Sequence, residues 1–110
     1  MMANPSPEKS EVEAQIISLI AEGEVDDAAR LAEKEGLLDK ATVLYEKCSD
    51  FRSLGKVYEK LNQLKKAMPA YERGKIFDEA ARIADKMGEK KKSERFYALY
   101  QKQEYPSYRR

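Results

Sequence analysis

The chemically capable groups in this chain recur. Tyr45, Tyr58 and Tyr71 stand thirteen residues apart, and each is followed by a glutamate and then a base, as Glu46-Lys47, Glu59-Lys60 and Glu72-Arg73. A phenol, a carboxylate and a cation in sequence can pass protons or grip an anion. Catalysis rarely needs the same group three times, however, so the repetition argues for architecture. Nor are the usual partners at hand. The chain has no histidine and a single cysteine, Cys48, which excludes Ser/His/Asp and Cys/His constellations, internal disulfides and Cys/His metal sites. Its five glycines are scattered and form no phosphate loop. Cys48 reads as a small filler at a helix end. The expectation is a non-enzymatic protein with no cofactor and no metal. One further stretch carries chemistry. KKKSERFYALYQKQEYPSYRR, at the C-terminus, interleaves bases with tyrosines, the combination that binds phosphates and stacks nucleobases. It makes nucleic-acid binding an alternative reading, although the KKK run begins a helix and suits a solvated face.

Composition frames these groups. The 110 residues, 42% hydrophobic, fit one compact domain burying roughly two thirds of its unfolded surface. Charged residues make up 37%, 21 basic against 20 acidic, so no overall field calls for a nucleic-acid or membrane partner. The signs are segregated. Residues 1–50 carry 5 basic and 12 acidic side chains, and residues 51–110 carry 16 and 8. The longest apolar run, IISLIA at 16–21, is far shorter than a membrane span and lacks a basic leader. These features predict a soluble, cytoplasmic protein.

Sliding the chain against itself by thirteen exposes the template. Ala28, Ala41, Leu54, Ala67, Ala80 and Ser93 share a column, followed three residues on by Leu31, Leu44, Val57, Ala70, Ile83 and Phe96. Next come Ala32, Tyr45, Tyr58, Tyr71, Ala84 and Tyr97, then an acid column and a basic column that the last copy replaces with Ala98 and Leu99. Apolar residues at i, i+3 and i+4 make one helical face, with acid and base turned to water. Two residues past each base stand Gly36, Ser49, Asn62, Lys75 and Gly88, where a helix closes in the left-handed conformation. Asp50 and Asn62 are candidate N-caps for the helices that follow. Val25, Phe51 and Phe77 align at 26, so the unit is a helical hairpin. Helices of about eleven residues bury their stripes only by stacking on neighbours. This predicts an all-α fold: a right-handed α-solenoid of antiparallel hairpins with about seven short helices. Val12, Ile16, Leu19 and Ile20 form a further helix started at Ser6-Pro7 or Ser10. The expected limits are a disordered 1–6, a helical domain over 7–103 and an extended tail over 104–110, with Pro69 kinking its helix or delaying its start.

FRSLGKVYEKLNQLKKAMPAY, residues 51–71, resembles a tetratricopeptide repeat. It carries Phe51, Leu54, Gly55 and Tyr58 in a first helix and Ala67 and Tyr71 in a second at that family's spacing. The resemblance extends over residues 23–101 through the small and aromatic columns. The period is 26 instead of 34, as in the shorter hairpins of vesicle-coat and intraflagellar-transport solenoids. Such a domain is expected to bind a protein, an extended peptide or a partner helix in a groove lined by the first helix of each hairpin. Carried over, the groove columns are Asp26, Arg30 and Glu33, then Arg52, Lys56 and Glu59, then Asp78, Arg82 and Asp85. Arg30, Lys56 and Arg82 form a basic row suited to the carboxylates of an acidic peptide, without the asparagines that usually complete such a clamp. Asp26–Arg30 and Asp78–Arg82 are also i,i+4 pairs that satisfy themselves, which leaves Arg52 and Lys56 as the stronger candidates.

The end of the repeat suggests self-association. Phe96, Leu99 and Tyr100 lack the acid-base pair of earlier copies, and Tyr105 and Tyr108 lie in the tail beyond. An open solenoid end needs a cap or a partner. With opposite charge on the two halves, a homo-oligomer is a further expectation, head to tail or two-fold through the last helix.

Overall fold

The computed structural model describes residues 7–104. Residues 105–110 of the predicted tail, with Tyr105 and Tyr108, lie outside them, like the predicted disordered residues 1–6, whereas Glu104 is helical. Seven helices account for the fold: α1 (Pro7–Ala21), α2 (Val25–Lys34), α3 (Leu38–Lys47), α4 (Phe51–Lys60), α5 (Leu64–Arg73), α6 (Phe77–Lys86) and α7 (Lys90–Glu104). From α2 onward each helix starts thirteen residues after the last. No strand occurs among the described residues. No helix there is long and apolar enough to cross a membrane. The chain divides into two compact units, Met1–Asp50 with α1 to α3 and Phe51–Arg110 with α4 to α7. Within each, consecutive helices pack on one another, the arrangement of an all-α solenoid.

The turns show why the template works. Gly23, Gly36, Ser49, Asn62, Lys75 and Gly88, again thirteen apart, have φ between 58° and 83°. Each closes its helix with the same two bonds. At α2, for example, the Leu37 N–H donates to the Ala32 carbonyl at 2.8 Å and the Gly36 N–H to that of Glu33 at 3.0 Å. This is the Schellman arrangement, and it satisfies carbonyls that a helix end otherwise leaves open. Asn62 therefore ends α4 and does not cap α5, whose N-cap is Gln63 without a side-chain bond. The N-caps of α2, α3 and α6 likewise make no side-chain bond, and the backbone turn before each sets the direction of the helix.

The small column forms the core. Ala28, Ala41, Leu54, Ala67, Ala80 and Ser93 are all buried. Three residues on, Leu44, Val57, Ile83 and Phe96 are buried with this column. In the first unit Ile16 anchors α1 against this layer. In the second, Phe96 is fully buried and stacks on Phe77 with centroids 6.2 Å apart. The Tyr71 ring lies directly on Gly55 of α4, where an added Cβ would stand 2.5 Å from Cε1. The Arg73 guanidinium covers Phe51 at 4.5 Å, closing the α4–α5 hairpin. The side-chain amide of Gln103 on α7 donates to the Lys75 carbonyl at 3.1 Å.

Pro69 neither delays its helix nor interrupts it: α5 begins five residues earlier and runs through to Arg73. The proline is exposed and takes no part in the buried cluster. It removes one backbone donor and crowds the carbonyl four residues before it, at a cost of about 3 kcal/mol. It also restricts the unfolded chain, which returns up to about 1 kcal/mol. Pro69→Ala is therefore expected to raise stability by about 2 kcal/mol in urea unfolding. A variant less stable than the parent would show that the proline fits its site better than helix geometry implies.

Candidate functional site

The predicted basic row divides into three environments. On α2, exposed Arg30 binds Asp27 and reaches Asp26 at 3.4 Å. Hydrogen bonding to Asp27 chiefly raises its pKa, with desolvation opposing. The carboxylates of Glu24, Asp26 and Asp27 converge within 4.8 Å of one another, but they are exposed and two of them are held by Arg30.

Arg82, on α6, has a different task. Its predicted partner was Asp78. The structure pairs it instead with Glu79, one turn away, and with Glu59 of α4 at 2.7 Å. The guanidinium that reaches across to Glu59 already has Glu79 beside it, so one fork serves both carboxylates. Glu59 in turn accepts a hydrogen bond from the Tyr71 hydroxyl at 2.6 Å. One carboxylate thus joins α4, α5 and α6.

The ionisation of these groups follows from their contacts. Burial pushes Glu59 upward, but the Arg82 and Tyr71 hydrogen bonds outweigh it and hold the carboxyl below its ordinary 4.5. Burial, then the Glu59 carboxylate, pushes the Tyr71 phenol well above its usual range. The Glu59 hydrogen bond does most to raise Arg82, with desolvation opposing. Near neutral pH the cluster is a charged carboxylate between a neutral phenol and a cation. It positions helices; none of its groups is poised to move a proton.

The first hairpin repeats half of this device. The Tyr45 hydroxyl donates to Glu33 at 2.7 Å, across the same twelve residues that separate Tyr71 from Glu59. In the third hairpin the matching residues are Asp85 and Tyr97, and among the described residues no such bond forms. Asp85 lacks the methylene that carries Glu33 and Glu59 to the hydroxyl, and Tyr97 stands 45% exposed. Tyr97 shares the column of Tyr45 and Tyr71 but, unlike them, is not buried. The expectation that the acid column faces water throughout is wrong, because Glu33 and Glu59 are half-buried and bonded. The signal was present in the spacing: a glutamate on a first helix, then a tyrosine twelve residues later on the second.

Arg52 and Lys56 are left on a different footing. Both are exposed, one turn apart on α4, a helix with no acid in its first turn. Lys60 continues the row at the next turn. Cys48, which precedes Arg52 by four, is half-buried with Sγ 3.7 Å from the Tyr45 carbonyl. Of the residues predicted for self-association, Phe96 is core and unavailable to a second copy, while Leu99 is 36% exposed and Tyr100 half-buried. Sequence reasoning passed over two exposed residues, Ile17 at 67% and Val43 at 56%. Comparison with protein families, with curated proteins and with solved structures returns no match.

Proposed function

We propose that this chain is a tetratricopeptide-like scaffold that binds an acidic protein segment through α4, with no chemistry of its own. The observation that supports this reading is the exposed row of Arg52 and Lys56. Three of the charged residues carried over from the family resemblance are occupied by partners in the chain, Arg30 by two aspartates and Arg82 and Glu59 by each other. These two bases offer fixed cationic groups one turn apart, spaced to meet successive carboxylates of an extended or helical ligand.

Binding of fluorescent acidic peptides, followed by anisotropy, tests the reading. Arg52→Glu with Lys56→Glu is expected to lower affinity at least tenfold, as loss of charge-assisted contacts does, with the melting temperature unchanged because both residues are exposed. Equal binding by the parent and the charge-reversed protein would overturn it. The nucleic-acid alternative makes a separable prediction: affinity for single-stranded nucleic acid that falls steeply with salt and depends on residues 103–110.

A further inference from the structure

One column of the thirteen-residue template holds Ile17, Arg30, Val43, Lys56, Pro69, Arg82 and Arg95, and its two large apolar members, Ile17 and Val43, are both more than half exposed. Ile20, 38% exposed, lies one turn from Ile17 on α1. From Ser10 to its end α1 carries Glu11 and Glu13 and no base. Its uncovered face is apolar within an acidic unit. The opposite arrangement occurs on α7. There Ala98 and Leu99 replace the Glu-Lys pair of earlier copies, so Tyr97, Ala98 and Leu99 are exposed without a charge among them. Exposed Glu94, Arg95 and Lys102 stand one turn away, and exposed Lys90 and Lys91 two turns away, so bases outnumber acids around them.

We propose that α1 of one copy docks against α7 of another, joining chains head to tail. Three observations choose a second copy as the occupant. Both helices span 15 residues, so their lengths match. Each presents apolar side chains at positions where water is the alternative. Their charges are opposite, acidic in residues 1–50 and basic in residues 51–110. Charge also selects the geometry: pairing α1 with α1, or α7 with α7, sets like charges together, whereas α1 on α7 sets unlike ones together. A contact between different faces repeats, so the product is a ring or an open chain of copies. None of the α1 and α7 residues named here belongs to the Arg52–Lys56 row, and the inference stands or falls independently of ligand binding there.

Sedimentation equilibrium tests it between about 10 μM and 1 mM, the range in which interfaces of modest size associate. The parent is expected to gain mass with concentration and to lose at least tenfold in association constant when salt rises from about 50 to 500 mM. Ile17→Gln and Ala98→Glu, both at exposed positions, are each expected to remain monomeric alone. Mixed in equal amounts they are expected to form a complex, because each retains the face the other has lost. The inference is overturned by a parent that stays monomeric throughout, by association that salt leaves unchanged or strengthens, by either variant associating alone like the parent, or by a mixture that fails to associate.

Discussion

Phe96→Ala is expected to destabilise the protein by about 3–5 kcal/mol, the cost of emptying an aromatic site in a packed core. Phe96 has no exposed surface, stacks on Phe77, and belongs to the cluster that holds Ala80, Ala81, Ile83 and Ala84 of α6. The cluster around it is buried and close-packed, so its side chains relax only partly into the cavity. Urea unfolding measures the loss. The companion variant Leu99→Ala, at a residue 36% exposed, is expected to cost far less. Similar losses at the two positions would mean that α7 lies on α6 differently from the packing described.

The second large effect belongs to Glu59. Glu59→Ala removes the acceptor of the Tyr71 hydroxyl and one partner of Arg82. Leaving the phenol of a buried tyrosine without an acceptor costs about 1–3 kcal/mol. Arg82 is half-exposed and keeps Glu79, so its share is small. The expected total is about 2–3 kcal/mol, with the sign of the pH dependence fixed by the same contacts. The Glu59 carboxyl is held below its ordinary 4.5. In the window between folded and unfolded values the unfolded chain therefore binds more protons, and stability falls as pH falls through that window. Glu59→Gln is expected to be less stable than the parent at pH 7 and to lose less on acidification from pH 5 to pH 3. A parallel acid profile for the two proteins would show that Glu59 carries no such linkage.

Much of this was legible in the sequence because the backbone obeys a period of thirteen. Left-handed turns fall at Gly36, Ser49, Asn62, Lys75 and Gly88, where the spacing placed them, and the small column is the core. What thirteen concealed is that side-chain surroundings repeat at twenty-six. A column pools first and second helices, which face different neighbours. Glu33 and Glu59 on first helices receive a tyrosine hydroxyl, whereas Glu46 and Glu72 on second helices are exposed. Arg30 and Arg82 share a column, yet only Arg82 has a glutamate on another helix as a bonded partner. The pairing of Arg82 with Glu59 depends on how hairpins stack, which i,i+4 counting within one helix does not contain. Tyr97 departs from Tyr45 and Tyr71 for a reason one methylene long, the exchange of Glu for Asp at position 85.

A glutamate on a first helix and the tyrosine twelve residues later on the second fasten helices together, at Glu33–Tyr45 and Glu59–Tyr71 but not at Asp85–Tyr97. Urea unfolding of Tyr71→Phe beside Tyr97→Phe tests this central claim most directly, since each variant deletes one hydroxyl and little else. Loss of a hydrogen bond to a charged acceptor predicts about 1.5–3 kcal/mol for Tyr71→Phe, and less than about 0.5 kcal/mol for exposed Tyr97→Phe. Equal effects at the two positions would contradict the claim.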